Sequence, residues 1–78
     1  MNKQKLFRKL NEVNWLLGSE SGKELELDYE SGWQLTLNSK YIYQGAEAVS
    51  KSIITHRVSG KEMFAFLSGL IEADKIRR

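Results

Sequence analysis

The sequence predicts an α+β fold, a small antiparallel sheet packed by an N-terminal and a C-terminal helix in the order α-β-β-(β)-α-α. Three observations carry this expectation. Residues 4–17 repeat apolar side chains at helical spacing. Residues 23–38 alternate apolar and polar side chains, the period of a half-buried strand. Ser59 and Glu62 form a capping-box pattern ahead of a long apolar segment, Met63 to Ile71, that holds one polar side chain, Ser68.

The first helix is predicted over residues 4–17. At about 100° per residue, Leu6, Leu10, Val13 and Leu17 fall within roughly 60° of one another, with Phe7 and Leu16 on the flanks. Gly18 suits the position just past a helix end, where a positive φ is wanted. Ser19 to Gly22 then reads as a loop.

In the next segment Leu25, Leu27 and Tyr29 face one way, and Glu24, Glu26, Asp28 and Glu30 the other. Beyond Ser31-Gly32, Trp33, Leu35 and Leu37 alternate with Gln34, Thr36 and Asn38. A two-residue loop would set Asp28 opposite Leu35 and mix the faces. A three-residue loop, Glu30-Ser31-Gly32, pairs Tyr29 with Trp33, Leu27 with Leu35 and Leu25 with Leu37. It also places Gly32 at the left-handed position of a type I turn with a G1 bulge.

Asn38-Ser39-Lys40 reads as a second turn, with a short third strand over Tyr41 to Tyr43 that ends at Gly45. Ala46, Val49 and Ile53 suit a short helix over residues 46–54, although Ile53, Ile54, Thr55 and Val58 are β-branched and also suit extended chain. An irregular link leads to Ser59, and the last helix is predicted from Gly60 to about Ile76. Being apolar nearly all round, it is expected to be buried on several sides.

Composition narrows the function classes. A chain of 78 residues makes one domain, near the size at which a single core is marginal and association with a partner or second copy adds stability. With no cysteine, disulfides, zinc–thiolate sites and thiol nucleophiles are excluded. No apolar run approaches a membrane span, and the segment after Met1 lacks the features of a signal peptide, so a cytoplasmic protein is expected. The net charge of +2 hides a segregation. Lys3, Lys5, Arg8 and Lys9 precede a block with Glu12, Glu20, Glu24, Glu26, Asp28 and Glu30 against Lys23 alone. A nucleic-acid binder is usually free of such an acidic block, which phosphates would repel.

The run Arg57-Val58-Ser59-Gly60-Lys61-Glu62-Met63-Phe64-Ala65-Phe66-Leu67-Ser68-Gly69 resembles the end of certain short, uncharacterised proteins of bacteriophages and bacterial mobile elements. Those finish with arginine, an apolar residue, serine, a basic residue, glutamate, and apolar and aromatic residues before Leu-x-Gly. The resemblance implies a mobile-element origin and a role against or alongside host machinery; it carries over no functional residue.

No catalytic constellation is expected, and no cofactor or metal. His56 is the single histidine. A general base needs a positioned partner, and Thr55 and Ser59 are near only in sequence. Glu24, Glu26, Asp28 and Glu30 stand about 6–7 Å apart on one strand face, which a solvated face explains more simply than a carboxylate pair. The glycines fit neither phosphate-loop nor dinucleotide spacing.

Three features point instead to contact with other molecules. Trp15 lies opposite Leu6 on helix 1, on the face of Arg8 and Asn11, and a Trp beside Arg is the composition of an interface hot spot unless the hairpin or the 18–22 loop covers it. The acidic row Glu24, Glu26, Asp28 and Glu30 offers a negative strip to a basic partner, or serves as a charged guard against sheet-to-sheet aggregation. Ala65, Gly69 and Ala73 form a small-residue stripe that would let another helix approach as a homodimer contact, or let this helix cross the sheet or helix 1. Lys75, Arg77 and Arg78 suit a helix C-terminus, whereas Lys3, Lys5, Arg8 and Lys9 sit where the helix dipole disfavours them. The expectation is a non-enzymatic interaction protein of a phage or mobile element. It would bind and modulate a host protein, such as a nucleic-acid-binding one, through Trp15, Arg8 and Asn11 or the acidic hairpin. The alternative is a small nucleic-acid-binding accessory protein using Lys3, Lys5, Arg8 and Lys9.

Overall fold

The chain forms α1 (Lys3–Leu17), β1 (Lys23–Tyr29), β2 (Trp33–Tyr43), β3 (Ala46–Ile53) and α2 (Gly60–Arg77) in a computed structural model that describes residues 2–77. This is an α+β fold with one antiparallel sheet in the order β1-β2-β3. Arg78 lies outside the described residues.

Helix α1 starts where expected because Asn2 caps it, its side-chain oxygen accepting from the Gln4 N–H at 2.8 Å. Leu6, Leu10 and Val13 are buried, while Leu17, at the end of the same stripe, is exposed at the margin. Gly18 closes the helix with φ 81°, and a short 3-10 turn, Ser19–Ser21, leads to β1.

The first hairpin has the register that the apolar alternation predicts: Tyr29 pairs with Trp33, Leu27 with Leu35 and Leu25 with Leu37. Its loop differs in detail. The left-handed residue is Ser31, at φ 57°, whereas Gly32 has φ 148°. Gly32 is needed for space as well, since a Cβ there would lie 3.2 Å from the Arg57 Cβ. Trp33 anchors this end of the sheet, edge-on to Phe7 of α1 at 6.1 Å and tilted against Tyr29 at 4.9 Å.

Two expectations are overturned together. Asn38-Ser39-Lys40 is no turn: β2 runs through it to Tyr43. Residues 46–53 are strand β3, not a helix. The turn falls instead at Gln44-Gly45, with φ of 51° and 79°, the two positive values of a type I′ hairpin turn. Non-local pairing decides the matter. The Lys40 N–H donates to the Gly22 carbonyl at 2.8 Å, holding β2 extended past the predicted turn. Strand β3 then pairs with the other edge of β2 from Thr36 to Tyr43. A helix over 46–54 would have left that edge unpaired.

Leaving β3, the chain bulges at 54–57 and rejoins the sheet. Trp33 and Val58 exchange both backbone hydrogen bonds, at 2.7 and 2.8 Å. The capping box follows as predicted: the Glu62 N–H donates to the Ser59 hydroxyl and the Ser59 N–H donates to the Glu62 carboxylate, both at 3.2 Å. Helix α2 buries Met63, Leu67 and Ile71, with Phe64 and Leu70 partly covered, against α1 and β2. It is covered on one side only. Ala65, Phe66 and Gly69 are exposed, which corrects the expectation of burial on several sides. Both helices lie on the sheet face of Leu25, Leu27 and Leu35. Among the described residues no helix is long and apolar enough to cross a membrane.

The first hairpin turn and the α2 cap can each be tested. Ser31→Asn is expected to raise stability by about 0.5 kcal/mol, because asparagine tolerates the left-handed region better than serine. Gly32→Ala is expected to lower it by more than about 1 kcal/mol. Urea unfolding with an unchanged m-value checks both. In the cap, the Ser59 N–H first, then the Ser59 side chain and, more weakly, His56 hold the Glu62 carboxyl below its usual value, against opposing desolvation. A carboxyl whose pKa falls on folding stabilises at neutral pH, and that contribution is lost as pH drops through the folded-state value. The Ser59 amide proton shift is therefore expected to titrate with a midpoint below 4.5 and to lose that titration in Glu62→Gln.

Candidate partner-binding surface

Trp15 is the most informative surface residue. It is 78% exposed, and neither the first hairpin nor the 18–22 loop covers the indole. Two backbone features keep it so. Gly18 and Gly22 both have positive φ, and Gly22 lies so close to β2 that its carbonyl accepts from Lys40. The connection thus turns tightly past the end of α1. A shallow groove of about 790 Å³ remains beside the indole, bordered by Asn11, Trp15, Lys23, Glu24, Lys40 and Val49. Its floor is rigid because Asn14, one residue before Trp15, is bonded to β1 twice. The Leu25 N–H donates to Asn14 Oδ1 at 2.7 Å, and Asn14 Nδ2 donates to the Leu25 carbonyl at 3.0 Å.

The groove brings together Trp15, Asn11 and Glu24, which the sequence places on separate elements. Arg8 stands apart from the indole. It borders two other depressions, one with Lys5, Lys9 and Phe64 and one with Lys3 and Phe7, and Asn11 links them to the Trp15 groove. The expected pairing of Trp15 with Arg8 is therefore a chain of neighbours through Asn11.

The acidic row divides in two. Glu24, Glu26 and Asp28 share the sheet face opposite the helices, as the alternation requires. Within the hairpin no base meets them, but Arg57 reaches across from the link. Its guanidinium donates to the Asp28 carboxylate at 2.8 Å and to the Gly32 carbonyl at 3.2 Å, and lies 3.9 Å from the Glu30 carboxylate. Asn38 Nδ2 donates to Glu26 at 2.8 Å. Glu24, beside the groove, carries the free end of the strip towards Trp15. Arg57 was legible only as part of an arginine–valine–serine run; its partners become apparent once Val58 is bonded to Trp33.

Elsewhere the candidates stay dispersed. Lys3, Lys5 and Arg8 are exposed. Lys9 is engaged within the fold, 3.6 Å from Glu12 and 5.4 Å from the centre of the Phe64 ring. Ala65, Gly69 and Ala73 face outward on α2, and a Cβ added at Gly69 would meet nothing within 4 Å. They mark no crossing of α2 with α1 or the sheet. His56 is exposed. Its two neighbouring hydroxyls serve the backbone: Thr55 Oγ1 accepts from the Leu35 N–H at 3.2 Å, and Ser59 sits in the cap. Among the described residues no group of three or more His, Asp or Glu side chains is placed to hold a metal ion. Lys23, Lys40 and Val49 were not foreseen at the groove, because their placement depends on the long β2–β3 hairpin.

Set against known proteins, the chain matches no family model, no curated protein and no solved structure.

The Asn14 clamp can be tested by substitution. Asn14→Leu strands the Leu25 N–H and carbonyl, and is expected to cost about 1–3 kcal/mol of stability. Chemical denaturation of the variant measures that cost, and hydrogen exchange at Leu25 reports the loosened edge.

Proposed function

We propose that this chain is a non-enzymatic interaction protein that binds another protein through the face where Trp15, Asn11 and Glu24 meet. The observation that carries this reading is the bare indole beside a groove whose floor is fixed by the Asn14–Leu25 bonds. A tryptophan brings a large apolar area to a contact, and a rigid setting removes much of the ordering cost. Glu24 at the rim, continued by Glu26, favours a partner with a basic margin.

The resemblance of residues 57–69 to short phage and mobile-element proteins makes a cytoplasmic host protein, inhibited or modulated on binding, the partner in view. The hydroxyls nearest His56 are already committed to backbone N–H groups, which speaks for binding over catalysis. Lys9 is partly spent on Glu12 and Phe64, which weakens the nucleic-acid alternative through Lys3, Lys5, Arg8 and Lys9.

The test compares variants. Trp15→Ala is expected to weaken capture of a bacterial partner about 30-fold, and Glu24→Lys to reduce it further at low salt. The chain itself should stay folded by circular dichroism. Undiminished capture by Trp15→Ala, or salt-dependent retention on DNA that Lys5→Glu and Arg8→Glu abolish, would overturn the proposal.

A further inference from the structure

The two edges of the sheet are finished differently. At β1 the outward N–H and carbonyl of Leu25 are bonded by Asn14, and α1 lies alongside. At β3 the outer edge is bare. Among the described residues β3 touches no element but β2. Its eight residues pair with β2 from end to end without interruption, and the chain has no proline to blunt an edge.

Which groups the edge presents follows from the ladder. The Ile54 N–H donates to the Leu35 carbonyl, so Leu35 and every second residue after it direct their peptide groups towards β3. Their partners Ser52, Ser50, Ala48 and Ala46 answer them. Glu47, Val49, Lys51 and Ile53 therefore aim their N–H and carbonyl groups outward. The side chains of these four stand on the sheet face away from the helices, and Val49 and Ile53 are 52% and 69% exposed. The opposite face of β3 carries only Ala46, Ala48, Ser50 and Ser52, which leave room for a neighbour.

We infer that β3 is a self-complementary edge, and that a second copy of this chain adds to it antiparallel about a two-fold axis at Val49. The charges select that register. An axis at Glu47 or Lys51 sets like charges opposite each other, and one at Ala48 or Ser50 sets Val49 against a charge. The axis at Val49 puts each Glu47 opposite the partner's Lys51 and the two Val49 side chains together. It also places outward-directed peptide groups opposite one another, as an antiparallel ladder needs. The product is a continuous six-stranded sheet with two helices over each outer end. This inference is independent of the Trp15 reading.

Charge reversal tests it on the full chain. Light scattering or sedimentation across a dilution series is expected to show wild type at twice 9.0 kDa, dissociating on dilution. Glu47→Lys alone and Lys51→Glu alone each oppose like charges in the proposed register, and each is expected to weaken self-association about tenfold or more. Mixing the two single variants pairs opposite charges again and is expected to restore the association, as is the double reversal in one chain. Both positions are exposed, so the variants should fold; circular dichroism verifies this. A wild type that remains at 9.0 kDa throughout overturns the inference, and so do single reversals that associate like wild type or fail to rescue each other.

Discussion

Two short helices cannot cover both faces of a three-stranded sheet, and in this chain they cover one end of one face. They meet over Leu25, Leu27 and Leu35, where Leu6, Leu35, Met63 and Leu67 have no solvent exposure. Burying each such side chain contributes about 1.5–3 kcal/mol, so this cluster supplies the main apolar driving force. Leu35 is its hinge point. Its side chain enters the cluster, its carbonyl accepts from Ile54 and its N–H donates to Thr55 Oγ1. The same residue ties the sheet, the link and the helices together. Where the cluster ends, the rest of β2 is held by its ladders with the Lys40–Gly22 and Asn38–Glu26 bonds, and β3, among the described residues, touches no element but β2.

Around that cluster, polar contacts set direction more than they add stability. The Arg57–Asp28 pair is partly exposed, and such pairs are worth at most about 1 kcal/mol. What Arg57 does is geometric. By bonding Asp28 and Gly32 it brings the link against the first hairpin loop, where Val58 can bond Trp33 and Ser59 can start α2. Asn14 has the matching role at β1. A side-chain amide is the group that can donate to a strand carbonyl and accept from its N–H at once. One polar residue on the buried flank of α1 thus fixes the angle at which α1 leaves the sheet, and with it the setting of Trp15.

What could be read from the sequence, and what could not, divides along the range of the deciding interactions. The first hairpin was legible to the register because Leu25, Leu27, Leu35 and Leu37 must share a face and the loop length must agree. The capping box was legible because Ser59 and Glu62 decide it locally. Residues 38–54 were not. Asn38-Ser39-Lys40 has turn composition, and Ala46, Val49 and Ile53 fit a helix as well as Glu47, Val49, Lys51 and Ile53 fit a strand face. The choice rests on the open edge of β2 and on the Lys40–Gly22 bond, both distant in sequence. Helix α2 misleads differently. Ala65, Phe66 and Gly69 give it an apolar circumference, yet only the stripe of Met63, Leu67 and Ile71 is buried, with Phe64 and Leu70 half-buried at its flanks. At the surface, the sequence places Trp15 opposite Leu6 and off the core face, but whether the hairpin or the 18–22 loop covers the indole was not legible. Its neighbours Lys40 and Val49 come from the misread segment, so the groove itself was out of reach.

Val49 belongs to both surfaces, which gives the bare end of the sheet its consequence. It borders the Trp15 groove through its pairing with Lys40, and it would mark the two-fold axis proposed for β3. A two-fold there places two Trp15 grooves on one uninterrupted sheet face, each reaching the axis from its own side. A partner docked on one indole then lies along the path to the other. Any partner that is itself paired, or long enough to span the axis, gains from the second contact as an intramolecular event, without any change in the strength of a single groove. That, among the described residues, no helix lies over β3 is on this argument what leaves the sheet free to extend.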